Sequence, residues 1–203
     1  RVFREGREWG AFETPLIGDF NVRNCLAAVV AADAWGVERA AIVEALATFK
    51  SVKRRMQVRG EERGIVVIDD FAHHPTAVRE TLQALSARYA GRRIVAVFEP
   101  RSATSRLAVF QREYVEAFRR ADHVVLSTVF ARDKGSAYGE LLDTDALASE
   151  IAAGGGPPAH CLDGADSIVR HLAPELREGD VVAVMSNGGF GGIHEKLLDA
   201  LRR

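Results

Sequence analysis

Hydrophobic positions change their rhythm along this chain. Residues 1–14 alternate apolar and polar, with Val2, Phe3, Trp9, Ala11 and Phe12 placed around Glu5-Gly6, and predict a short hairpin. Over residues 21–34 the spacing becomes helical through Val22, Leu26, Val29 and Val30. A second helix is expected over 38–49, behind Gly36. Hairpin and helices make an all-local block without a wider sheet of its own. Residues 1–51 are therefore expected to be the end of an upstream domain, and the opening Arg1-Val2-Phe3-Arg4 starts in a strand as a fragment would.

Beyond Ser51 the pattern changes. Residues 54–61 and 65–69 read as two strands joined near Glu62-Arg63-Gly64. Continuous apolar runs recur at 65–68, 94–98, 124–126 and 181–185, and unbroken runs of this length indicate strands buried on both faces, as in parallel sheets. Helical stretches separate them at 75–89, 106–119, 143–152 and 165–172, a weaker strand is expected at 159–162, and a last helix at about 192–201. Alternating strands and helices predict an α/β domain over 52–203: a Rossmann-like, mostly parallel sheet with helices on both faces. Ligands of such sheets bind beyond the carboxyl ends of the strands. Those ends are Asp69-Asp70-Phe71-Ala72-His73-His74-Pro75, Glu99-Pro100-Arg101-Ser102, Ser127-Thr128-Val129-Phe130 and Ser186-Asn187-Gly188-Gly189. All four are polar or glycine-rich, more than a core alone requires.

Composition narrows the classes. A formal net charge of -1 gives no global attraction to nucleic acid or anionic membrane, so an anionic ligand must be held by local groups. No apolar run approaches the roughly 20 residues of a membrane-spanning helix, and the start carries no signal-peptide pattern. With only Cys25 and Cys161, both among apolar neighbours, two buried free thiols and a cytoplasmic location are expected.

Five constellations could carry chemistry. In the Asp69–Pro75 stretch, Asp70, His73 and His74 stand at a helix start, where carboxylate, imidazoles and free N–H groups could grip sugar hydroxyls and phosphates. The same residues could simply cap strand and helix, or less simply bind a metal. The run Lys53-Arg54-Arg55 is either solvated surface or a source of guanidinium for anionic oxygens. Asn21 and Asn24, three apart on one helix face, could cap that helix or read a base edge through their amides. Arg101 follows a buried strand and is placed to meet a carboxylate, with Ser102 and Thr104 as hydroxyl partners or caps. The glycines of Gly188-Gly189-Phe190-Gly191-Gly192 permit either close approach of a ligand or an ordinary tight turn. The segment lacks G-x-G-x-x-G, which excludes a dinucleotide oxidoreductase.

In this order the segments resemble the Mur ligases, over essentially the whole chain. Gly18-x-x-Asn21-x-x-Asn24, Phe49-Lys50-Ser51-Val52-Lys53-Arg54-Arg55-Met56 and Asp69-Asp70-Phe71-Ala72-His73-His74-Pro75-Thr76 are similar to motifs of that family. The last of these is similar to the motif of the alanine-adding branch, while Phe71-Ala72-His73-His74-Pro75-Thr76-Ala77, Glu99-Pro100-Arg101-Ser102 and Ser186-Asn187-Gly188-Gly189-Phe190-Gly191-Gly192-Ile193-His194 resemble the branch that recycles murein peptides. The resemblance implies the carboxy-terminal part of a ligase using ATP and Mg2+ to join L-alanyl-γ-D-glutamyl-meso-diaminopimelate to UDP-N-acetylmuramate through an acyl phosphate. It further implies that Asn21 and Asn24 contact adenine, that Arg55 faces the ATP phosphates, that Asp70 binds the ribose hydroxyls and that His73 and His74 line the same cleft. Arg101 and Ser102 would orient the peptide.

One departure is Phe20, where the family usually has His. No P-loop G-x-x-G-K-[ST] and no catalytic lysine can be argued, so the amino-terminal and central domains and the magnesium ligands are expected upstream, and the chain alone is expected to be inactive. Three rivals remain: the alanine-adding branch of the family, a folate-polyglutamate ligase that the His-His-Pro segment fits poorly, and a standalone nucleotide-binding or regulatory module.

Overall fold

The structure is a computed structural model that describes residues 1–129 and 139–203; Phe130 of the third strand-end segment lies outside the described residues. The chain divides into two compact units, Arg1–Lys53 and Arg54–Arg203.

In the first unit, strands β1 (Val2–Arg4) and β2 (Arg7–Gly10) form the hairpin, followed by helices α1 (Asp19–Ala34) and α2 (Arg39–Ala47). The two-residue turn has φ 50° at Glu5 and 77° at Gly6, the doubly left-handed geometry that matches strand twist. A small core gathers Trp9, Val29 and Ile42, and the Trp9 indole N–H donates to Asp33 Oδ1 at 2.8 Å. Val22, Val30 and Trp35 are exposed, Trp35 almost completely at 92%.

The second unit is a six-stranded sheet in the order β3-β4-β8-β5-β6-β7. Its strands are β3 (Gln57–Glu62), β4 (Ile65–Asp70), β5 (Ile94–Phe98), β6 (His123–Ser127), β7 (Ala159–Leu162) and β8 (Val181–Met185). Only β3 is antiparallel; its charged, half-exposed residues and a bulge between Val58 and Gly60 suit an edge strand. The other strands run parallel, and every residue of β4, β5, β6 and β8 is buried, as their unbroken apolar runs require.

Helices α3 (Pro75–Arg88), α4 (Gln111–Phe118) and α5 (Thr144–Ala152) pack in sequence on one face. There Phe98, Tyr114 and Phe118 pack with ring centroids 5.2 to 6.0 Å apart, Tyr114 stacked on Phe118 and Phe98 meeting both at steeper angles. Helices α6 (Gly164–Leu172) and α7 (Ile193–Arg202) cover the other face, over Ile65, Val67, Val95, Val97, Val182 and Val184. The expected α/β class, with a mostly parallel sheet and helices on both faces, is therefore observed.

Three expectations are corrected. The helix expected over 106–119 begins only at Gln111, because Leu107 pairs with Leu141 and Leu142 N–H donates to the Arg106 carbonyl at 2.8 Å, which holds Leu107 extended before a 3-10 turn at Ala108–Phe110. The strand expected from 54 begins at Gln57, because Arg54 and Met56 adopt left-handed φ of 59° and 46°. Cys25 is buried, but Cys161, on the edge strand β7, is only half-buried; both thiols are free.

Candidate functional site at the strand ends

The parallel register puts Asp70, Met185 and Phe98 side by side, so the segments that follow β4, β8 and β5 leave the sheet together. Asp69 and Asp70 close β4 on opposite faces, and both are 3% exposed.

Asp70 binds its own chain. Its Oδ2 accepts from Met56 N–H at 2.7 Å, and its Oδ1 accepts from Ala72 N–H at 2.8 Å and the Thr81 hydroxyl at 3.2 Å. Burial raises its carboxyl above the usual range, and these hydrogen bonds and the charge of Arg55 oppose the rise. The Met56 bond fixes the residue after Arg55. The residue before it is held as firmly: Arg54 N–H donates to Gln57 Oε1 at 3.0 Å, and Phe71 N–H donates to the Arg54 carbonyl at 2.9 Å. Left-handed φ in a side-chain-bearing residue costs roughly 1–2 kcal/mol, so a turn with two of them persists only because such bonds over-determine it.

Asp69 receives the Arg54 guanidinium, Nε to Oδ1 at 3.3 Å, with Arg59 at 3.9 Å and the buried His194 Nε2 at 3.5 Å. The other end of the same guanidinium donates to the Ser186 and Gly188 carbonyls at 2.6 and 2.8 Å, and its Cζ lies over the Phe71 ring, 5.2 Å from the ring centre. Arg54 thus ties the end of β4 to the loop after β8. On the far side of that loop the Ser186 hydroxyl donates to Glu99 Oε2 at 2.6 Å and accepts from Gly188 N–H at 2.9 Å.

Glu99 is buried and also accepts from Arg101 Nη1 at 3.4 Å, so the carboxylate that Arg101 meets here is the chain's own. Arg101 lies across Gly188, where an added Cβ would come 2.2 Å from Arg101 Cδ and 2.5 Å from its Nε. Gly188→Ala is accordingly expected to push Arg101 off its seat and cost about 1.5 kcal/mol, the lower end for a hydrogen bond between charged groups, as suits the long 3.4 Å contact to Glu99. Chemical denaturation checks this: the loss should nearly vanish when the substitution is made in an Arg101→Ala background.

Around this frame a few groups face outward. Arg55 is exposed, and no bond to its side chain occurs among the described residues. His73 Nδ1 lies 2.9 Å from the Phe71 carbonyl, which can only accept, so Nδ1 carries the proton and Nε2 is left as an acceptor in the neutral ring. The Tyr114 hydroxyl fixes the backbone there by donating to the His73 carbonyl at 2.6 Å. His74, at the amino terminus of α3, accepts Thr76 N–H on Nδ1 at 3.4 Å, so its exposed Nε2 carries the proton and is a donor. The two imidazoles thereby offer opposite hydrogen-bonding characters.

Ser102 is engaged in its own turn, donating to Ser105 Oγ at 2.8 Å and accepting Ser105 N–H at 2.9 Å. Beside Arg101 opens a cleft of about 420 Å³ lined by Glu99, Ser127, Thr128, Asp163 and Gly191. It lies beyond the carboxyl ends of β5, β6, β7 and β8, the end at which open α/β sheets take ligands.

In the first unit, Asn21 and Asn24 share one face of α1 and bond each other, Asn24 Nδ2 to Asn21 Oδ1 at 3.4 Å. Asn21 Nδ2 also donates to the Ile17 carbonyl at 2.8 Å. Neither caps the helix, whose cap position is Gly18. Phe20 is half-buried.

The structure thus brings Arg55, Asp70, His73 and His74 together around the end of β4, and sets Arg101 and Ser102 after β5. Reading the sequence missed the roles of Asp69, Glu99 and Ser186, which are buried, and of the half-buried Arg54 that ties them together. A usable signal was present for the carboxylates: acids directly after unbroken apolar runs are buried with the strand and so must be paired.

Residues 54–188 match the family model for the Mur ligase, glutamate ligase domain. The chain is 37% identical over 203 residues to the UDP-N-acetylmuramate–L-alanyl-γ-D-glutamyl-meso-2,6-diaminoheptandioate ligase of Escherichia coli, spanning all of this chain and 42% of that protein. It is likewise 37% identical, over 98% of its length and 41% of the relative's, to a UDP-N-acetylmuramate–L-alanine ligase of Symbiobacterium thermophilum. Among solved structures, the murein peptide ligase of Psychrobacter arcticus superposes with a TM-score of 0.72 at 34% identity, covering 95% of this chain and 39% of that one. This chain thus spans about two fifths of the curated relatives it matches. By the matched domain, the identity and the shared fold, it belongs to the Mur ligase family.

Proposed function

We propose that this chain is the carboxy-terminal part of an ATP-dependent ligase that joins L-alanyl-γ-D-glutamyl-meso-diaminopimelate to UDP-N-acetylmuramate. The observation that carries the proposal is the pinned left-handed turn at Arg54–Met56, which holds the exposed Arg55 beside Asp70, at the strand end that His73 and His74 follow. Strain held in place by buried partners is a form of preorganisation, and a guanidinium is suited to polyphosphate oxygens. Similarity to the E. coli and P. arcticus ligases supports the peptide substrate.

In the reaction, a muramate carboxylate oxygen attacks the γ-phosphorus of ATP and ADP leaves. The peptide amine then attacks the acyl carbon, phosphate leaves and the amine gives up a proton. Arg55 would bind phosphate oxygens and offset charge as it shifts in both steps. His73 would offer an acceptor and His74 a donor to the nucleotide. Asp70 enters as the anchor of the turn; a ribose hydroxyl would have to share oxygens that already accept three bonds.

Asn21 and Asn24, in a first unit that we assign to the end of the central ATP-binding domain, would read adenine. Exposed Val22, Val30 and Trp35 fit a unit whose remaining apolar neighbours lie elsewhere in that domain. Arg101 and Ser102 would orient the peptide, with the adjoining cleft taking part of it. Asp69 and Asp70 are buried and bonded, so they do not fit a magnesium site, and the ligands for Mg2+ are assigned to the upstream region. A cytoplasmic location goes with these substrates; among the described residues no helix is long and apolar enough to cross a membrane.

Relatives of the alanine-adding kind at equal identity favour a second reading, with free L-alanine as the acceptor. Steady-state assays of the full-length protein with ATP, Mg2+ and UDP-N-acetylmuramate separate the two. The tripeptide is expected to be preferred over L-alanine by about 100-fold in kcat/KM, since a site built for the longer chain is left with unpaired polar groups by the shorter one. A preference for L-alanine would transfer the chain to the second reading.

A further inference from the structure

Three histidines far apart in sequence meet at the other end of the sheet. His123 opens β6, His160 lies in β7 and His171 in the last turn of α6. Each offers a ring nitrogen, and the three nitrogens lie within 4.8 Å of one another. The cluster is separate from the site described above: His123 and Ser127 are at opposite ends of β6, on the order of 13 Å apart at the usual rise per residue.

Packing alone leaves this cluster incomplete. The rings stand edge to face, with centroids 4.8 to 6.2 Å apart, which is favourable for aromatic rings but uses no nitrogen. His123 is only 5% exposed, yet neither its Nε2 nor the buried Nε2 of His171 has a hydrogen-bond partner among the described residues. A buried polar atom without a partner costs about 1–3 kcal/mol, and two such atoms belong to this one three-ring cluster.

We propose that His123, His160 and His171 form a three-imidazole site for a divalent transition-metal ion of the zinc class. Three nitrogens around tetrahedral zinc stand roughly 3.3 Å apart, so closure needs rotations that bring the rings about 1.5 Å nearer, within reach of imidazole χ angles. His160 is exposed, which gives an ion its way in and leaves the fourth position to water. Glu175 Oε1 lies 3.9 Å from His171 Nδ1, beyond hydrogen-bond reach, and sets a negative charge beside the cluster.

Arg93 is the opposing charge nearby, but its guanidinium is bonded twice to Asp180, at 3.0 and 2.6 Å, and once to the Glu175 carbonyl. A bound ion would clamp the edge strand β7 and helix α6 to β6.

Titration of the metal-free protein with zinc chloride at pH 7.5, followed by calorimetry, tests this. One equivalent is expected to bind with a micromolar or lower Kd, and Co2+ in its place should give the intense visible absorption of a four-coordinate site. His160→Ala, on an exposed side chain that the fold does not need, should weaken zinc binding at least about tenfold, while a His73→Ala/His74→Ala double variant should leave it unchanged. No binding below millimolar zinc would overturn the proposal and leave an aromatic packing cluster only. Binding that survives His160→Ala but is lost in the double variant would also overturn it.

Discussion

Arg54→Ala is expected to lower the stability of the protein by about 3–4 kcal/mol. The side chain spans two strand ends: its Nε faces buried Asp69, and its Nη2 donates to two carbonyls of the loop after β8. Removing one partner of a buried pair typically costs about 3–5 kcal/mol, because the remaining charge stays desolvated. The lower part of that range applies here, since Arg59 and His194 still face Asp69. For a unit of this size the loss corresponds to a fall of roughly 10 °C in Tm. Thermal unfolding followed by circular dichroism measures it. A change under about 1 kcal/mol would show that Asp69 is held well enough without the clamp.

Arg55→Ala, one residue along, is expected to behave in the opposite way. Its side chain is exposed and bonds no described residue, so folding loses little. In the full-length ligase the same change should reduce kcat/KM for ATP by about 100- to 1000-fold, the scale of one preorganised charge removed from a phosphoryl-transfer site. Arg55→Lys should recover only part of the loss, because an ammonium cannot reproduce the paired donors of a guanidinium. Steady-state kinetics of the two variants give both numbers.

The contrast between these neighbours marks where sequence reading stops. The runs at 65–68, 94–98 and 181–185 were legible as buried parallel strands because burial on both faces leaves no polar alternation. The hairpin turns were legible through Glu5-Gly6 and Arg63-Gly64, whose second residues tolerate left-handed φ. The start of β3 was not, because the chain at 54–56 is bent by a side chain, Asp70, that folding brings from fourteen residues away. Three consecutive cations look alike in composition; only the family resemblance singled out Arg55, and nothing local marked Arg54 as the clamp. Asp69 and Asp70 read as one acidic pair, but strand alternation sends them to opposite faces and opposite partners. The histidines of β6, β7 and α6 gave no signal at all, since strand pairing and helix packing alone make them neighbours.

What most directly tests whether a rigid frame presents Arg55 to a ligand is a double measurement on one preparation of full-length Arg55→Ala: its unfolding midpoint and its KM for ATP. The midpoint should stay within about 2 °C of the unsubstituted protein, as for a surface change, while KM rises at least about tenfold. A midpoint lowered as far as that of Arg54→Ala, with KM for ATP unchanged, would make Arg55 part of the scaffold and contradict its assignment to the nucleotide.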